Sequence, residues 1–176
     1  MSAPAELLRD FVNTHDMDTD TDDIASPADL AVWLRERGLA GEADRAGDDD
    51  LGAATALRAG LRAAMGHGGG PYPELDHALA HFQLRVIFKG DTPVLMPLAG
   101  GVSGALARLA VAVMAAQTDR TWQRLKVCAE ATCRRAFLDL SKNRSRSWCS
   151  MSVCGNRIKT RAYRVRRRAA MGSRRP

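Results

Sequence analysis

Residues Cys128 to Arg168 read CAEATCRRAFLDLSKNRSRSWCSMSVCGNRIKTRAYRVRRR, and this stretch holds all four cysteines of the chain. They stand at Cys128, Cys133, Cys149 and Cys154: a Cys-x4-Cys pair, fifteen intervening residues, and a second Cys-x4-Cys pair. Two close thiol pairs joined by a short loop fit tetrahedral zinc, which takes two ligands from each of two tight turns. Such a site is structural. Four thiolates fill the coordination sphere and leave no position for a reactive water. The metal would instead hold together a segment poor in apolar residues, with binding energy on the order of 10 kcal/mol going into folding. Two disulfides are the alternative. The chain shows no apolar signal segment, and the thiols of an intracellular protein stay reduced.

Beyond the last cysteine, Gly155 suits a tight turn, and Ile158, Ala162, Val165 and Ala169 recur at intervals of four, three and four. On a helix wheel they lie within roughly 60° of one another, a narrow apolar stripe. Arg157, Lys159, Arg161, Arg164, Arg166, Arg167 and Arg168 occupy the rest of the circumference. Residues 121–176 carry sixteen Lys and Arg against two acids, Glu130 and Asp139, a net of +14. The whole chain is +6, so residues 1–120 carry −8 and the basicity is local. That concentration favours a polyanion. A solvated basic tail is the bland alternative, and an anionic membrane fits less well because the helix lacks a broad Leu and Phe face.

The segment FLDLSKNRSR followed by WCSMSVCGNRIKTRAYRVRRR resembles the CGNR zinc finger that closes bacterial proteins with an N-terminal ABATE domain. The likeness rests on Phe137, Asp139, Ser141, Asn143, Arg146, Trp148, Met151, the run Cys154 to Arg157, Lys159 and Tyr163; Arg134, Arg135 and Ala136 depart from a Gly-Trp pair usual there. FVNT at Phe11 to Thr14 and the later SPADLAVWL resemble the start of the ABATE domain, in the expected order. The resemblance implies one structural zinc held by the four cysteines, DNA contact in a transcriptional regulator, and a sensing or ligand-binding role for the N-terminal part.

Upstream, the pattern is helical. Leu7, Leu8, Phe11 and Val12 share one face after Pro4; Asn13 and Thr14 end that helix and are also candidate ligand contacts. Asp16, Asp18, Asp20, Asp22 and Asp23 fit no EF-hand register, because Thr21 or Asp23 falls where Gly is needed, so this run reads as a solvated loop. Ser26-Pro27-Ala28-Asp29 starts a helix carrying Leu30, Trp33 and Leu34 to a stop at Gly38. Asp48 to Asp50 open another, with Leu51, Ala54, Leu57, Leu61 and Met65 inward until Gly66. The connector from His67 to Pro73 contains three glycines but neither the lysine nor the spacing of a phosphate loop. Residues 74–82 are helical; His77 and His81 share a face, without a third metal ligand nearby. Leu84 to Phe88 and Val94 to Met96 read as a hairpin about Gly90 and Asp91, and Val102 to Ala116, including Leu106, Leu109, Val113 and Met114, as the central core helix.

The expected architecture is mainly α with a small β-hairpin. Residues 1–120 form a helical sensor or dimerisation domain, and residues 121–176 a treble-clef-like, knuckle-type zinc finger ending in a basic helix. No catalytic constellation or run of eighteen apolar residues is evident, so the expectation is a cytoplasmic, nucleoid-associated protein that is not an enzyme and spans no membrane. Arg157, Lys159, Thr160, Arg161, Tyr163, Arg164 and Arg167 are the expected contacts to double-stranded DNA, supported by Arg144 and Arg146. A small-molecule effector and a homodimer are further expected partners. RNA, or an acidic protein surface including the chain's own acidic half, are the alternatives to DNA.

Overall fold

Proline and cap residues mark where the helices begin. In the computed structural model, which describes residues 3–172, α1 spans Pro4–Val12, α2 Pro27–Glu36, α3 Asp48–His67, α4 Pro73–Leu79 and α5 Gly101–Thr118. Pro4, Pro27 and Pro73 each occupy a first turn, where a missing N–H costs nothing. Ser26 accepts from the Asp29 N–H at 3.2 Å and donates to the Asp29 carboxylate at 2.6 Å, closing the start of α2. Gly38 and Gly68, at φ of 66° and 70°, take the left-handed turns after α2 and α3.

The helices enclose one core. Leu8, Phe11 and Val12 of α1 meet Leu57 and Leu61 of α3 and Leu106 and Leu109 of α5, with Trp33 and Leu34 of α2 closing one side. Phe11 and Trp33 pack edge to face with centroids 5.3 Å apart. Gly60 allows the crossing of α3 and α4: a Cβ there would stand 2.8 Å from the Leu75 Cα and 2.9 Å from the Glu74 carbonyl oxygen. By length and composition α5 could cross a membrane, but Val102, Leu106, Leu109 and Ala116 are buried against the other helices. Of Val113 and Met114, both expected inward, Val113 is buried and Met114 is exposed.

Among the described residues, three antiparallel two-stranded ladders accompany the helices. β3 (Leu84–Lys89) and β4 (Thr92–Pro97) form the expected hairpin, Val86 opposite Leu95, and β4 lies on α5. The acidic stretch read as a solvated loop contains a short ladder, β1 (His15–Asp16) with β2 (Thr21–Asp22). It is held at its base: Arg58 grips Asp22 through two bonds of 2.6 and 2.7 Å and reaches the Thr14 hydroxyl at 2.9 Å. Arg62, one turn on, donates to the carbonyls of Val12 and His15 at 2.6 and 2.7 Å. Burial acts to raise the Asp22 pKa, but Arg58 and the Ile24 N–H outweigh it, so the carboxyl sits below its usual range.

The third ladder joins β5 (Leu125–Val127) to β6 (Ala136–Leu138). Its residues belong to the same core, with Trp122, Leu125, Val127 and Ala136 buried alongside α1 and α3. The apolar interior therefore runs across residue 120 without a break. Asn13 fastens it further: its amide donates to the Ala136 carbonyl at 2.9 Å and accepts from the Ala136 N–H at 2.8 Å.

Candidate metal centre and cationic helix

Both knuckles are built by backbone turns. The first is the tip of the β5–β6 hairpin, where the Cys128 N–H donates to Arg135 O at 2.9 Å and the N–H groups of Cys133 and Arg134 converge on Glu130 O at 3.0 and 3.1 Å. The second leads into a helix: the N–H groups of Cys154 and Gly155 both donate to Ser150 O, and the Ser150 hydroxyl accepts from the Val153 N–H. A wide π-type turn over Met151–Gly155 then runs into α6, Asn156–Gly172. Gly155 serves close approach of side chains rather than a left-handed turn. A Cβ there would lie 2.5 Å from the Met151 sulfur and 3.4 Å from the Trp148 ring.

The four sulfurs gather at one point. All lie within 4.8 Å of one another, with Cys133 and Cys149 at 3.6 Å and Cys149 and Cys154 at 3.7 Å. A tetrahedron with zinc–sulfur bonds of 2.3 Å has edges of roughly 3.8 Å, so these separations fit one ion. No disulfide forms among them. Burial raises the Cys154 thiol pKa and brings Cys149 up to about 11, while N–H groups of Cys149 and Glu130 overcome burial to lower Cys128. Bound zinc would supply the positive charge that keeps all four as thiolates.

Around the site, the loop between the knuckles is tied from below. Asp139, fully buried, pairs with Lys126 at 2.8 Å, accepts from the Ser141 hydroxyl at 2.6 Å, and accepts from the N–H groups of Ser141 and Arg146. Burial opposes its charge, but these donors overcome it and hold the carboxyl far below the ordinary range. Lys126 also donates to the carbonyls of Arg144 and Arg146. Phe137 is buried in this assembly, and Trp148 lies against the second knuckle.

Of the expected nucleic-acid contacts, Arg157, Lys159, Thr160, Arg161, Tyr163, Arg164 and Arg167 are all exposed on α6. Arg157, Thr160, Arg161 and Arg164 line an open groove with Ser152, Val153 and Asn156, whereas Lys159 and Tyr163 lie around the far side of the helix. Arg144 and Arg146 differ. Arg144 donates to Gln123 at 3.1 Å, and Arg146 to the Cys149 carbonyl at 2.8 Å, its guanidinium 5.4 Å from the Phe137 ring centre. The apolar stripe is not packed as expected: Ile158 is half-buried and Ala162 exposed, while the side chains of Val165, Arg168 and Ala169 lie outside the described residues. Asn13 and Thr14 have their polar atoms engaged within the fold, on Ala136, Phe11 and Arg58.

Sequence reading did not locate two contacts. One is Glu130, fully buried inside the first knuckle, whose carboxylate meets Arg161 of α6 at 3.3 Å while its second oxygen has no partner. The other is the acid loop resting on the finger, with Asp16 2.8 Å from Arg135 and Asp18 3.0 Å from Arg157. The charge imbalance names the chain's own acidic half as an alternative partner of the finger, without saying which aspartates and arginines meet.

Comparison with known families places two models on the chain. One described as CGNR zinc finger matches residues 124–167. The other, ABATE, described as "Putative stress-induced transcription regulator", matches residues 5–141. They overlap over residues 124–141, the segment containing the hairpin that the helical core and the metal centre share. No curated protein matches the chain.

Proposed function

Since this chain belongs to the ABATE family of transcription regulators and carries a zinc-binding CGNR finger, we propose that it regulates transcription by binding double-stranded DNA through α6. One structural zinc ion fixes that helix to the body. The carrying observation is the exposure of the cationic side chains of α6 directly after a four-cysteine cluster that anchors its first turn. Seventeen residues of helix extend about 25 Å at 1.5 Å per residue, and the 10–12 Å width of a helix suits the DNA major groove.

Within this reading the groove side of α6 does most of the work. Arg164 and Thr160, free of acidic partners among the described residues, reach base edges or phosphates, and Arg157 and Arg161 neutralise flanking phosphates. Lys159 and Tyr163, on the opposite side, meet the other wall of the groove. Arg144 and Arg146 act mainly by shaping the loop between the knuckles. The helical half supplies the sensing or dimerisation surface; exposed Val86 and Phe88 of β3 are apolar area available to a second copy. The reading includes no catalysis.

Fluorescence anisotropy with zinc-loaded full-length protein and mixed-sequence duplex tests it. Affinity should fall with salt by about 0.9 log units per log unit of salt for every phosphate neutralised. Arg164→Ala should weaken binding with zinc content unchanged. Equal affinity in the variant removes α6 from the contact surface, and structured RNA outcompeting duplex at matched salt reassigns the ligand.

A further inference from the structure

The loop between α1 and α2 carries Asp16, Asp18, Asp20, Asp22 and Asp23. Its base is fixed in the helical half by Arg58 on Asp22 and Arg62 on the Val12 and His15 carbonyls. Its tip rests on the finger. Both Asp18 oxygens lie 3.0 Å from one Arg157 nitrogen, and Asp16 accepts from Arg135 at 2.8 Å. Asp16 also caps the turn, accepting from the Asp18 N–H at 2.9 Å, so the two carboxylates are presented together. Arg157 is the first arginine of α6 and lines the groove proposed to receive DNA. A carboxylate thus stands where a phosphate oxygen would.

We propose that this aspartate loop is an intramolecular competitor for the DNA-binding groove, with Asp18 holding the Arg157 end of α6 until a nucleic-acid phosphate displaces it. The inference rests on the DNA reading above. Exposed ion pairs are individually weak, so the loop yields to a polyphosphate that touches several cations at once. A ligand offering a single negative charge gains little by displacing it. The device therefore discriminates against weak anionic partners, raising specificity by placing a repulsive element beside the attractive one. Asp16 and Asp18 also bring negative charge to the finger side of the loop, and like charge there opposes docking of a duplex backbone unless α6 contributes enough contacts.

The test compares duplex affinities of three zinc-loaded full-length proteins at low salt. These are the wild type, Asp16→Asn/Asp18→Asn, and a control, Asp48→Asn/Asp49→Asn, which makes the same charge change at the start of α3. That end lies about 25 Å along the helix from Gly66, where a Cβ would stand 3.4 Å from the Arg134 guanidinium of the finger. The loop variant should bind roughly three- to tenfold more tightly, the gain shrinking as salt screens it, while the control moves less than twofold. If wild type binds but both variants shift alike, or neither shifts, the competitor is overturned and the DNA reading stands. If none of the three binds duplex at low salt, the DNA reading fails and takes the competitor with it.

Discussion

Asn13→Ala removes the clasp between the end of α1 and the finger hairpin, and its cost follows from the geometry. Two hydrogen bonds, of 2.9 and 2.8 Å, are lost, and the N–H and carbonyl of buried Ala136 are left facing a side chain that can no longer answer them. A net hydrogen bond contributes about 1 kcal/mol, and each buried group left unpaired costs about 1–3 kcal/mol. Water reaching the half-buried gap recovers part of this, so the expected loss is about 2–4 kcal/mol. For a chain of 176 residues that lowers Tm by roughly 5–15 °C. Asn13→Asp keeps the acceptor for the Ala136 N–H but sets a carboxylate against the Ala136 carbonyl, and should be no milder. Urea unfolding of zinc-saturated protein, followed by tryptophan fluorescence in two backgrounds, one keeping only Trp33 and one only Trp148, reads both halves, because Trp33 reports the helical core, Trp148 the finger, and buried Trp122 no longer blends the signals. Both probes should shift together. A loss below about 0.5 kcal/mol, or a shift at Trp148 with Trp33 unmoved, would refute the claim that finger and helices form one cooperative unit.

Four further substitutions probe other joints. Asp22→Asn leaves the Arg58 guanidinium, only 7% exposed, without its counter-charge and should cost about 3 kcal/mol at neutral pH. Because the folded pKa of Asp22 is lowered, its contribution is complete above the unfolded value near ~3.9 and is lost as pH falls through the folded value. The stability gap between wild type and variant should therefore close in acid, and a gap that is constant with pH would contradict the pairing. Gly60→Ala drives a Cβ into the Leu75 and Glu74 backbone and should destabilise by about 2 kcal/mol or more, whereas Gly155→Ala meets chiefly the flexible Met151 side chain and should cost less in the same melting experiment. Ser26→Ala deletes the α2 cap, and calorimetry should record a loss of about 1 kcal/mol; no change would mean the cap is idle.

Much of this was legible in the chain, for identifiable reasons. Helix starts at Pro4, Ser26-Pro27 and Pro73 are written in local chemistry, and apolar periodicity placed Leu57, Leu61, Leu106 and Leu109 inside. The cysteine spacing carried the metal centre, because knuckle geometry is local. What escaped is long-range. Nothing near Asn13 announces Ala136, and nothing near Asp18 announces Arg157, since each pair is separated by more than a hundred residues. The boundary drawn after residue 120 followed a shift in charge, but the core follows apolar contact, and Trp122, Leu125 and Val127 continue it. Glu130 went unremarked because a lone acid in a basic stretch reads as solvated; only the fold reveals it enclosed beside Arg161.

X-ray absorption on gently purified protein, paired with elemental analysis, addresses the metal centre that positions α6. One zinc per chain surrounded by four sulfurs at about 2.3 Å is the expected result, with the signal lost when Cys154 is replaced by Ser. A metal-free protein with full secondary structure, or a shell containing nitrogen or oxygen in place of any of the four sulfurs, would contradict it.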